Sequence, residues 1–157
     1  SETIIGEINL PVSVLTNKLT SLPNNENLLS LLSNKEFIKV KVGNCHGDMT
    51  LSNMIFDNNI YLIDFLDSYI ESPTMDIVKL RQDTHLLWSL NMVDTPLDLT
   101  KIKIGLEYID KWICANFNVD DYEILQIINL LRIYPYSTDE KIKIWIDKNI
   151  KKLCEHL

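Results

Sequence analysis

Two carboxylates and one carboxamide stand at spacings that suit metal-assisted phosphoryl transfer. Asp48 and Asn53 lie in the run His46-Gly47-Asp48-Met49-Thr50-Leu51-Ser52-Asn53, and Asp64 follows in Leu62-Ile63-Asp64-Phe65. Moving a phosphoryl group requires an acceptor hydroxyl held in line, a group to take or orient its proton, and hard oxygen ligands for a divalent ion that bridges the phosphates. Asp48, Asn53 and Asp64 are of those chemical types.

The surrounding sequence supplies elements able to position them. Phe37 to Val42 mixes apolar and basic residues as a half-buried strand does and leads directly into Cys45-His46-Gly47-Asp48. Two apolar bursts, Met54-Ile55-Phe56 and Ile60-Tyr61-Leu62-Ile63, are separated by Asp57-Asn58-Asn59, which tolerate turn geometry and so predict a β-hairpin. Such a hairpin folds Asp64 back toward Asn53, so that both can meet one metal. Beyond Pro73 the apolar spacing predicts helices: one capped by Thr74 and carrying Met75, Ile77, Val78, Leu80, Leu86, Leu87 and Leu90, then three over about 99–117, 120–133 and 138–155. Ser137 and Glu140 have capping-box spacing ahead of the last. Upstream, residues 1–23 show no clean period and carry Pro11 and Pro23, which reads as a linker or short elements. A short amphipathic helix is expected from Asn24 or Asn25 to about Ser33-Asn34. The predicted fold class is α+β, mostly helical, with one small hairpin near the centre of the sequence.

Composition narrows the partners. A net charge of -7 argues against a nucleic-acid partner, whose phosphates call for a broad basic surface, while a nucleotide held through a divalent metal stays compatible. Cys45, Cys114 and Cys154 are three, far apart and without a C-x-x-C pair, so they read as neither a disulfide framework nor a zinc site, and a reducing cytoplasm is the expected setting. No apolar run approaches a membrane span, and Ser1-Glu2-Thr3 lacks the order of a signal peptide, so no membrane partner is expected.

The step from Asp48 to Asn53 equals that in the kinase catalytic loop H-R-D-x-x-x-x-N, and Asp64-Phe65 stands where kinases place the D-F-G aspartate. With His46-Gly47-Asp48 in place of His-Arg-Asp, and Ile63-Asp64-Phe65 followed by the further acidic residue Asp67, the chain resembles the aminoglycoside phosphotransferase and choline kinase superfamily more than protein kinases. The match is close over about residues 37–80. The resemblance implies a kinase-like carboxyl-terminal lobe that transfers the terminal phosphate of ATP or GTP to a hydroxyl of a small molecule such as a sugar, amino alcohol or aminoglycoside. It implies that Asp48 acts as base or hydroxyl-orienting group, that Asn53 and Asp64 ligate Mg2+, and that His46 buttresses the loop. Glu71-Ser72-Pro73-Thr74-Met75-Asp76-Ile77 is similar to the segment in which an aspartate opens the helix after the metal-binding strand, so Asp76 is expected to tie down the catalytic-loop backbone. Asp67 falls near a position where choline-kinase-like members carry another acidic residue, which would serve metal or substrate. On this reading residues 1–36 are a linker and short helix, and residues 37–157 are the catalytic lobe. Only 45 residues precede His46, whereas the family carries a whole amino-terminal lobe with a nucleotide-covering loop and a phosphate-binding lysine. That lobe is expected upstream or in another chain, and the isolated chain is expected to turn over weakly or not at all.

Other readings compete. A kinase-like lobe without its first lobe suits a non-catalytic binding or regulatory module, although such a module need not keep all three metal-site residues. Gly43-Asn44-Cys45-His46-Gly47-Asp48 superficially resembles motifs of two-metal phosphoesterases, but those sites use several imidazoles and this chain has three scattered histidines. Cys45 is expected to be a small buried hydrophobe rather than a nucleophile. Asp57, Asp94, Asp98, Asp120 and Asp139 read as caps or turn-formers. Trp88, Trp112, Trp145, Tyr69, Tyr134 and Tyr136 could cage a quaternary ammonium, but their helical spacing predicts core packing instead.

Overall fold

The computed structural model describes residues 4–13, 35–68, 70–92 and 98–157, which form two compact units. The short helix expected before Asn34, Tyr69 and Asp94 lie outside them. One unit comprises Ser1–Gly6 and Lys41–Val119, the other Glu7–Val40 and Asp120–Leu157.

Within residues 1–23, strand β1 (Ile4–Pro11) forms, and it pairs with β2 (Phe37–Gly43). The alternation in β2 turns Ile38 and Val40 into the core and leaves Phe37, Lys39 and Lys41 exposed, as the period of two requires. The helices of the second unit are α4 (Tyr122–Ile133) and α5 (Glu140–Cys154), and α4 is apolar on nearly every side and buried from Ile124 through Leu131. Against it α5 lays the stripe Ile146, Ile150 and Leu153, at i, i+4 and i+7. Asp139 rather than Ser137 caps α5: its carboxylate accepts from Lys141 N at 2.8 Å, and the Ser137 hydroxyl instead donates to Ile133 O at 3.1 Å. The capping-box spacing is therefore unused, because the Tyr134–Tyr136 turn draws Ser137 back toward the preceding helix.

The first unit holds everything that positions the predicted site. A hairpin joins β3 (Met54–Phe56) to β4 (Ile60–Leu62) in antiparallel register, Met54 opposite Leu62 and Phe56 opposite Ile60, around the Asp57-Asn58-Asn59 turn. Helix α1 (Pro73–Thr84) starts two residues earlier than Thr74 capping requires. Ser72 is the cap, accepting from Thr74 N at 3.1 Å, with Pro73 at the first helical position, where its missing N–H costs nothing. The predicted helix also breaks: α1 ends at Thr84, Leu87 takes a left-handed φ of 61°, and the chain restarts as α2 (Trp88–Met92). Helix α3 (Thr100–Asn116) packs on α1, burying Leu106 and Ile113, and a bidentate pair joins them, Arg81 Nε and Nη2 to the Asp110 oxygens at 2.9 and 3.1 Å. Burial would raise the Asp110 carboxyl, but the hydrogen bonds and charge of Arg81, with Thr84 donating at 2.9 Å, outweigh it and hold the group below its usual range.

The aromatic residues depart from core packing. Trp112 is 55% and Tyr136 86% exposed, and Trp88, Tyr134 and Trp145 are only half-buried, so aliphatic side chains make most of the core. Among the described residues no helix is long and apolar enough to cross a membrane.

Candidate active site

The catalytic-loop segment is built around Gly47. Its φ of 84° is left-handed, and a Cβ there would stand 1.9 Å from the main-chain oxygen of Leu66, so only glycine lets residues 46–48 lie against the segment after β4. Two ladder-like bonds fasten those segments: Leu66 N donates to His46 O at 3.0 Å, and Ile63 N donates to Asn53 O at 3.1 Å. Asp64 lies between these ties, so the hairpin brings its backbone beside Asn53 as the sequence predicts. Its φ is 58°, a left-handed conformation that costs a non-glycine residue about 1–2 kcal/mol and that tends to cluster at functional sites.

Asp76 meets the backbone of the His46-Gly47 turn. Buried in the first turn of α1, its carboxylate accepts from His46 N at 2.5 Å and from Gly47 N at 2.9 Å. His46 is 2% exposed; its Nδ1 accepts from Asp48 N at 3.3 Å and its ring stacks on Phe65 at 4.3 Å between centroids. That stack couples the His-Gly-Asp turn to the residue following Asp64. The Nε2 atom of His46 is buried with no hydrogen-bond partner among the described residues.

Asp48 and Asn53 come together as side chains. Asn53 Nδ2 donates to Asp48 O at 2.8 Å and to Asp48 Oδ2 at 3.2 Å, which fixes the amide orientation and leaves Asn53 Oδ1 as a free oxygen donor. The Asp64 and Asp67 carboxylates are exposed and make no hydrogen bond or ion pair among the described residues. Asp67 and Glu71 line an open cavity of about 520 Å³ with Asn44, Phe65 and Leu66. Among the described residues no cluster of three His, Cys, Asp or Glu could hold a metal. The set offered is an amide oxygen and a carboxylate, which fits magnesium arriving with nucleotide phosphates, since that ion is commonly held by one or two carboxylates plus the phosphates.

The sequence reading gave no loop contact to Lys79 or Asp83. Lys79 Nζ lies 3.0 Å from Asp48 Oδ1. Asp83 is 1% exposed and accepts from Leu51 N at 2.8 Å and from Ser89 N at 3.2 Å, so it anchors the turn before Asn53 and starts α2. Asp76, Lys79 and Asp83 recur at i, i+3 and i+7 on α1, and this single face meets residues 46–51 in order. That spacing was the available signal. Cys45 is only half-buried, short of the buried position expected of it; such burial as it has pushes the thiol pKa up, and the nearby Asp76 charge adds to this.

No curated protein matches the chain. A family model does: residues 25–94 match the phosphotransferase enzyme family. That span contains the His-Gly-Asp turn, the hairpin, Asp64 and all of α1. Residues 25–94 thus carry the pattern of the phosphotransferase enzyme family, of the aminoglycoside phosphotransferase and choline kinase type.

Proposed function

We propose that this chain carries the transfer centre of a small-molecule kinase, moving the terminal phosphate of ATP or GTP to a hydroxyl of a sugar, amino alcohol or aminoglycoside. The observation that supports the reading is the pairing of Asn53 Nδ2 with the Asp48 carboxylate, together with the Ile63 N to Asn53 O bond by which the hairpin brings the Asp64 backbone near Asn53. Asp48 faces the acceptor hydroxyl and takes its proton as the acceptor oxygen bonds to the terminal phosphorus. The bond from that phosphorus to the bridging oxygen breaks, and the departing nucleoside diphosphate keeps the electron pair. Asn53 Oδ1 and Asp64 would hold magnesium, which when bound neutralises charge on the phosphates. Asp76, His46 and Gly47 hold the turn that aims Asp48, and Asp67 belongs to the acceptor side, where it borders the open cavity. A cytoplasmic setting and a covering lobe, upstream or in another chain, complete the reading.

The test is incubation of the protein with magnesium and ATP or GTP over a panel of hydroxylated amines and sugars, with product detection by mass spectrometry. Slow formation of a phosphorylated acceptor by the wild type, and none by Asp48→Asn, is the expected result. Nucleotide-independent hydrolysis of a phosphoester would favour a phosphoesterase instead. Ligand binding with no transfer, unaltered by Asp48→Asn, would favour a non-catalytic module.

A further inference from the structure

Of the three side chains that α1 presents to the catalytic loop, two serve backbone groups: Asp76 accepts from His46 N and Gly47 N, and Asp83 from Leu51 N. Lys79, between them in sequence, reaches the functional side chain itself, 3.0 Å from Asp48 Oδ1. Its side chain is 17% exposed against 30% for Asp48, so the ammonium is largely withdrawn from water while the carboxylate keeps an open side. The second Asp48 oxygen receives Asn53 Nδ2 at 3.2 Å. The carboxylate is therefore gripped at both oxygens by donors from two different elements, a short turn and a helix. An ionised carboxylate has about four acceptor sites, so each oxygen retains one for an incoming hydroxyl.

We infer that Lys79 is a positioning residue for phosphoryl transfer, a role that rests on the reading of Asp48 as the group facing the acceptor hydroxyl. It does two things. By fixing Oδ1 while Asn53 fixes Oδ2, it leaves the carboxylate no freedom to rotate away from the acceptor, which is the part of catalysis that consists of orientation. By placing a positive charge beside the carboxylate, it offsets the repulsion that an unpaired Asp48 would exert on an approaching terminal phosphate. Lys79 keeps its own protons throughout; only the acceptor proton moves, to Asp48. A lysine present only to join α1 to the loop would add little that Asp76 and Asp83 do not already provide.

Lys79→Met and Lys79→Arg, measured with magnesium nucleotide and the best acceptor, separate these roles. The expected result for Lys79→Met is an unchanged melting temperature, a kcat lowered on the order of 10²-fold, and KM values for both substrates close to wild type, because the lost interaction acts in the transition state. Lys79→Arg, which keeps the charge and a donor within reach, is expected to recover much of the rate. A Lys79→Met kcat within about twofold of wild type, a loss confined to KM, or equal losses in the Met and Arg variants would overturn the inference. Should Lys79→Met not fold, Lys79→Gln carries the same comparison. Absence of transfer by the wild type even with its covering lobe present would sink the functional reading and this role with it, whereas wild-type transfer undiminished by Lys79→Met would sink the role of Lys79 alone.

Discussion

Replacing Asp76 with alanine probes the support of the catalytic turn, because the Asp76 carboxylate accepts from two backbone N–H groups of that turn. Its carboxylate accepts from His46 N at 2.5 Å and Gly47 N at 2.9 Å, and the residue is 6% exposed. A hydrogen bond to a charged group contributes about 1.5–3 kcal/mol, and a buried donor left unpaired forfeits its desolvation as well. The donor of His46 is fully buried and that of Gly47 partly so, which places Asp76→Ala at about 3–5 kcal/mol of destabilisation, a large share of a typical domain's 5–15 kcal/mol. Asp76→Asn keeps one acceptor oxygen and is expected to lose roughly half as much. Urea unfolding followed by circular dichroism gives the free energies, and amide hydrogen exchange at His46 and Gly47 reports the turn directly. Because the chain forms two compact units, fluorescence and circular dichroism should be compared for coincident transitions before a single free energy is assigned. An Asp76→Ala variant within about 1 kcal/mol of wild type, with both amides still protected, would refute the reasoning.

Three further outcomes follow from local geometry. Gly47→Ala must move the Leu66 carbonyl, which would lie 1.9 Å from the new Cβ, and must hold alanine at a left-handed φ; a marked fall in melting temperature with loss of transfer is expected, and a variant as stable as wild type would contradict the packing described. Asp110 has a depressed carboxyl in the folded state, so its contribution is complete above the unfolded value of about 3.9 and is lost as pH falls through the lower folded value. Thermal melts over that acid window should show wild type losing stability more steeply than Arg81→Met, and parallel curves would remove the pair's role. The burial-raised Cys45 thiol should alkylate with iodoacetamide at neutral pH more slowly than free glutathione does, while Cys45→Ala retains transfer; rapid labelling of Cys45 would reopen its reading as a nucleophile.

The parts of this protein legible in its sequence are those fixed by short-range pattern. The alternation of Ile38 and Val40, the polar turn at 57–59 and the closeness of Asp48 and Asn53 are local signals, and each has its counterpart in the structure. What was not legible depended on competition between near-equivalent groups. Ser72 and Thr74 both could cap a helix next to Pro73, and the outcome followed from Pro73 occupying the first helical position and from Ser72 Oγ also donating to Lys41 O. The break after Thr84 is concealed by continuous apolar spacing, since Leu86, Leu87 and Leu90 read on as helix while Asp83 draws Ser89 into a new start. Strand β1 falls in a segment whose mixed pattern gains meaning only from its partner β2. The contacts of Lys79 and Asp83 have no local signal strong enough to name them, because they arise only from the approach of residues 46–51 to that face of α1.

The division of labour between Asp48 and Asp64 is the centre of this account, and titration of magnesium nucleotide into wild type, Asp48→Asn and Asp64→Asn, paired with transfer assays on the same samples, tests it most directly. The account predicts that Asp64→Asn loses magnesium-dependent nucleotide binding and transfer together, whereas Asp48→Asn binds nucleotide like wild type and transfers nothing. Nucleotide binding that is indifferent to Asp64→Asn, or transfer that survives Asp48→Asn, would contradict it.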